Sequence, residues 1–107
     1  MITEERLTQA MRYLAETDSE AAELKTNVER QSYAVKKTKS LIFLQSDGNI
    51  EQRKALAETS DEVTRATMDY LDAHQESLAL ENKRKTEELI TKIWQSLNAN
   101  KRQGQVI

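Results

Sequence analysis

Cysteine and proline are absent from this sequence, glycine occurs twice, and aromatic residues make up only 5% of the chain. Without cysteine there is no disulfide framework, thiol chemistry or Cys-based zinc site, a usage that fits a reducing, cytoplasmic setting. Without proline, and with so little glycine, a chain of 107 residues cannot be cut into many short elements. That disfavours β-rich folds and favours long helices. No apolar run approaches the roughly 18 residues of a membrane span, and "MITEERLTQAM" lacks the basic and apolar regions of a secretory signal. No membrane partner is expected.

The chemistry of catalysis is missing too. His74 is the only histidine, in helical phase with Tyr70 and Leu78, and no HExxH or Glu-x-x-His metal spacing surrounds it. Carboxylate pairs such as Glu58/Glu62 and Asp69/Asp72 sit at helical spacing with no nucleophile beside a base, so they read as surface acids. No Gly-rich phosphate loop or G-x-S-x-G is present. The expectation is a protein that is not an enzyme, with no cofactor, metal or small-molecule substrate.

What is present is periodicity. Every seventh residue from Leu7 is apolar: Leu7, Leu14, Ala21, Val28, Val35 and Ile42. The companion positions three residues on are mostly polar, as in a helical bundle rather than a two-stranded zipper. Thr3, Glu4 and Glu5 supply an N-cap and an acidic first turn. The register passes through Thr17-Asp18-Ser19, which reads as continuous helix or as a second cap and a break. Gly48 suits a helix end, and Asn49 with Gln52 forms a capping-box pattern. The fold expected is all-α: a long antiparallel, coiled-coil-like helical hairpin over residues 1–100. Its helices run about 3–45 and about 50–98, with a turn at 46–49 and a basic tail at 101–107. Hydrophobic residues, 37% of the chain, form a stripe that wants a partner, so a homo-oligomeric bundle is expected. The second arm's seam starts at Leu56, Val63, Ala66, Tyr70, Ala73 and Leu80. It resumes at Leu89, Ile90, Ile93, Trp94 and Leu97. Residues 81–88, "ENKRKTEE", are a solvated helical stretch or a polar waist where a partner docks.

Charge is segregated although the net is only −2. Residues 1–29 hold seven acids against three bases, and residues 55–82 hold seven acids against Arg65. Residues 30–54 and 83–107 each hold six bases against two acids. A hairpin would set the basic segment 83–94 beside the acidic N-terminal turns. Lys36, Lys37, Lys39, Arg53 and Lys54 converge near the bend, and Lys101 and Arg102 sit in the tail. These cations are solvated faces that specify pairing, or they are phosphate contacts, whose gain comes from counterion release. Tyr33 and Phe43 near the tip, and Trp94 before the tail, read as seam residues ahead of base-stacking platforms.

"DGNIEQRKALAETSDEV" and "LITKIWQSLNANKRQG", with its "WQSLNANKR", resemble small helical proteins encoded by tailed bacteriophages, over roughly residues 46–104. Those proteins sit among early genes for replication, recombination and host takeover. The resemblance implies an accessory protein of DNA metabolism in the host cytoplasm, in the manner of recombination mediators that load a recombinase on single-stranded DNA as oligomers. It would make Lys101, Arg102 and the basic tip the DNA-facing candidates. The expected partners are single-stranded DNA, a DNA-processing protein, or both, with Leu7, Leu14, Val28, Val35, Ile42, Leu89, Ile93, Trp94 and Leu97 as the oligomer seam. The alternatives are a protein-protein module that inhibits or redirects a host protein through the acidic 55–82 face, and a structural scaffold.

Overall fold

The protein is all-helical. A computed structural model describes the backbone of residues 1–106 and the side chains of residues 1–101. Three helices follow in order: α1 over Glu4–Gln45, α2 over Ile50–Thr59 and α3 over Asp61–Val106. Among the described residues there is no strand, and no helix is long and apolar enough to cross a membrane.

α1 starts where the Thr3 hydroxyl accepts the amide of Arg6 at 3.0 Å, which satisfies one of the free N–H groups of the first turn. It then runs unbroken through Asp18. Thr17 stays in the helix by donating its hydroxyl to the Tyr13 carbonyl at 2.7 Å. The sevenfold register is the inward one: Leu7, Leu14, Val28, Val35 and Ile42 are all half-buried, and so are the polar companions Thr17, Gln31 and Thr38.

The second arm departs from the single helix expected over 50–98. Ser60 breaks it, with φ −67° and ψ 146°, and serves both neighbours. Its hydroxyl donates to the Ala57 carbonyl at 3.0 Å and accepts the Val63 amide at 3.2 Å, so one side chain ends α2 and caps α3. The break shifts the inward face by one residue. Ala57 is buried in α2 while Leu56 is 51% exposed; beyond Ser60, Val63 and Ala73 are buried and Tyr70 is half-buried. α3 then continues to Val106, through the stretch expected to be a tail.

The chain divides into two compact units. One, Ala22–Leu78, contains the bend and α2 and buries Ala57, Val63 and Ala73. The other joins Met1–Ala21 to the segment from Ala79 onward and buries Ala10. Among the described residues every buried apolar side chain is alanine or valine, and no large one is fully buried. Small residues let helix axes approach closely, and half-buried leucines then give only part of the roughly 1.5–3 kcal/mol of full burial.

In the second unit Glu81, Arg84 and Glu87 of the stretch 81–88 are half-buried, and its other five residues are exposed as a solvated helical stretch would be. Arg84 Nη1 donates to the Leu14 carbonyl at 2.8 Å and to the Thr17 hydroxyl at 2.6 Å, while Nη2 lies 3.5 Å from Asp18. Arg6 Nη2 meets Glu87 Oε1 at 2.8 Å. The contacts climb α1 as they descend α3, so these two segments run antiparallel. The hydrogen bond from Arg6 holds the Glu87 carboxyl below its ordinary pKa, against the opposing effect of desolvation, and Arg6 is correspondingly raised. Glu87 Oε2 is buried without a hydrogen-bond partner.

Two outcomes follow from this polar seam. Arg84→Met should destabilise the fold by about 1.5–3 kcal/mol in urea unfolding, and Arg84→Lys should recover less than half, since an ammonium cannot reproduce the planar fork. For Glu87, a depressed folded-state pKa means its contribution is complete above the ordinary carboxylate value and disappears as pH falls through the folded-state value. The stability gap between the native chain and Glu87→Gln should therefore be widest at neutral pH and narrow as the pH falls below the ordinary carboxylate range. A gap that is flat across that range would show that the Arg6–Glu87 pair contributes nothing.

Candidate nucleic-acid interface

The bend is built locally. Ser46 donates its hydroxyl to the Ile42 carbonyl at 2.6 Å and closes the last turn of α1. Gly48 follows with φ +113°, a backbone conformation that side-chain-bearing residues avoid. Asn49 Oδ1 accepts the Gln52 amide at 2.9 Å, and Gln52 Oε1 accepts the Asn49 amide at 3.1 Å, a complete capping box. Gln52 Oε1 occupies the place where a Cβ on residue 48 would stand, 2.5 Å away.

Behind the bend, Arg53 reaches back to α1. Its Nε donates to the Phe43 carbonyl at 3.0 Å, and its guanidinium lies 4.4 Å from the centre of the Phe43 ring. Arg53 therefore acts as a clamp between α1 and α2, in contrast to the free cation its position in the sequence suggests. The lysines are placed differently. Lys39, Ser40, Phe43 and Leu44 of α1 face Lys54, Ala57 and Glu58 of α2 across an open groove of about 470 Å³. Lys36, Lys37, Lys39 and Lys54 are exposed, and among the described residues none of them is in an ion pair.

The other candidates lie elsewhere. Lys101 is exposed on α3 and lines a smaller groove of about 300 Å³ with Met1, Ile2, Glu4, Trp94, Leu97 and Asn98. Arg102, the second cation expected to contact DNA there, lies outside the described residues. Trp94 is half-buried and faces inward with Ile90, whereas Leu89, Ile93 and Leu97 are 57%, 41% and 50% exposed. Those three, expected in one seam with Trp94, are more exposed than it, and Leu97 lines the groove beside Met1 and Ile2. His74 is exposed and stacks on Tyr70, with ring centres 5.9 Å apart at 16°. Among the described residues no group of three or more His, Asp or Glu side chains is arranged to hold a metal ion.

Compared with protein-family models, curated proteins and solved structures, this chain matches none. Its chemistry must be read from its own residues. The groove combines an apolar floor, one aromatic ring, two ammonium groups from different helices and the Glu58 carboxylate. Sequence reasoning placed the lysines here but missed Ser40, Leu44 and Ala57. Leu44, at 68% exposure, lies off the sevenfold register, and that departure was the available signal.

The geometry of this site depends on the bend. Gly48→Ala should lower stability by about 1–2 kcal/mol, because it combines an unfavourable backbone angle with displacement of Gln52 from the capping box. Urea unfolding checks the magnitude, and a midpoint unchanged from the native chain would mean that the bend tolerates a different turn.

Proposed function

We propose that this chain is a non-enzymatic helical hairpin that serves DNA metabolism as an accessory protein of the phage early-gene type. In this reading it works in the host cytoplasm and contacts nucleic-acid phosphates through the lysines of the bend, alone or beside a DNA-processing protein. The observation that carries it is the bend groove, where Lys39 and Lys54 of two helices stand beside Phe43; Glu58 is the one acid lining it, and among the described residues neither lysine is in an ion pair. Phosphate recognition needs positive charge at close spacing and no fixed catalytic constellation, which suits a site of exposed ammonium groups on two helices. Lys36 stands one turn before Lys39 and Ser40 on α1 and extends the positive face along the helix. An apolar floor favours single strands, whose unstacked bases expose a flat face, over a paired duplex.

Fluorescence anisotropy of labelled single- and double-stranded oligonucleotides over a salt series tests the reading. The native chain should bind single strands more tightly, with affinity falling steeply as salt rises. Lys39→Glu with Lys54→Glu should weaken binding by at least about tenfold and make the salt dependence shallower by roughly two phosphates. Lys101→Glu should change it less. No binding at low salt overturns the proposal and directs attention to the acidic 55–82 stretch as a docking face for a basic protein.

A further inference from the structure

Glu58 has a place in the bend groove that the fold does not explain. It is exposed, and among the described residues it is in no ion pair. The last turn of α2, where it stands, carries no base to set against it. It lines the groove one helical turn after Lys54, on the same side of α2, and across from Lys39 of α1. Hydrogen-bond acceptors and donors therefore stand side by side over the apolar surface of Phe43, Leu44 and Ala57. All six residues belong to the unit Ala22–Leu78. A carboxylate beside the lysines weakens their pull on any anion, so a groove for phosphate alone gains nothing from it. A ligand that carries donors as well as acceptors does.

We propose that Glu58 makes the groove selective for guanine in a single strand. The inference rests on the nucleic-acid reading of the groove and adds a base preference to it. Among the four DNA bases only guanine presents two adjacent donors, N1–H and the N2 amine, on its Watson–Crick edge, with the acceptors O6 and N7 beside them. A carboxylate only accepts, and its two oxygens match those two donors. An ammonium only donates, so Lys54, one turn from Glu58, matches O6 and N7. Lys39, on the other helix, is left for a phosphate.

The other bases fit worse for a definite reason. Adenine and cytosine offer one amine flanked by a ring nitrogen, whose lone pair repels the second carboxylate oxygen. Thymine offers one N–H between two carbonyls, which repel both. The strand must be unpaired, because a duplex already uses the Watson–Crick edge of each base. The groove volume of about 470 Å³ falls within the roughly 300–1,000 Å³ of small-molecule sites, enough to admit one base.

Anisotropy of short labelled single strands tests this on the full chain. One strand is all thymine, and the others carry a single central guanine, adenine, cytosine or hypoxanthine. The guanine strand should bind at least about fivefold more tightly than the thymine strand. Hypoxanthine, which lacks the N2 amine, should fall between them. Glu58→Gln should abolish the preference and bind the thymine strand more tightly, because a negative charge leaves the groove. Circular dichroism reports whether that variant remains helical. Equal affinity for guanine and thymine strands overturns the proposal and leaves the phosphate reading standing. A preference that Glu58→Gln retains overturns it too. Failure to bind any strand at low salt overturns both. Free deoxyguanosine monophosphate at the strand's own concentration should leave the complex intact; displacement there would make this a site for a free nucleotide and overturn the assignment to a strand.

Discussion

One guanidinium holds the polar part of the seam together. Arg84 reaches from α3 to a backbone carbonyl, a hydroxyl and a carboxylate within a little more than one turn of α1. A guanidinium fits there because its donors are fixed in one plane and it sheds water more readily than an ammonium. The Leu14 carbonyl is already the acceptor of the helix ladder, so Arg84 uses its second lone pair and leaves α1 intact. The segment Thr17-Asp18-Ser19, which by composition invites a break, is thereby held as helix. Arg6 and Glu87 repeat the theme about two turns nearer the start of α1 and one turn farther along α3, with the charges reversed between helices.

That constraint explains the character of the rest of the interior. A seam that closes on alanine, valine, threonine, arginine and glutamate has little apolar area to bury, and among the described residues the buried side chains are all small. Its gains are directional: a hydrogen bond made across two helices counts only if both stand at the right height and rotation. Such a seam specifies one pairing better than an all-leucine stripe would, at the cost of lower total burial. Several larger apolar residues, such as Leu44, Met68 and Leu89, are then left exposed on α3 and around the bend.

The first helix was legible because its apolar residues recur every seventh position without a slip, and the structure uses that register from Leu7 to Ile42. The second arm was harder for a physical reason. Leu56, Val63 and Tyr70 are also seven apart, so the pattern seems to run straight through Ser60, although Ser60-Asp61-Glu62 repeats the cap and acidic turn of Thr3-Glu4-Glu5. The local signal was present and the periodic one masked it. Farther on, Leu89, Ile90, Ile93, Trp94 and Leu97 cover two adjacent faces, and hydrophobicity does not say which face meets α1. Arg84 and Glu87 were invisible to an apolar count, yet Ala73, Leu80, Glu87 and Trp94 keep one register. At the bend, the lysines were readable as a cluster, while the tie between Arg53 and Phe43 needed the fold.

The capping box at Asn49 and Gln52 also sets an order of events. Its bonds join residues three apart, and Arg53 meets Phe43 across ten positions, whereas Arg6 and Glu87 are separated by 81. Closing a short loop costs far less chain entropy than closing a long one, so the bend forms while the ends are still apart. Pairing then advances outward, each new contact shortening the loop that the next must close. Run in reverse, the same path makes the Arg6–Glu87 end the first to open and the bend the last. Amide hydrogens should record that gradient, slow to exchange around Phe43 and progressively faster toward both termini.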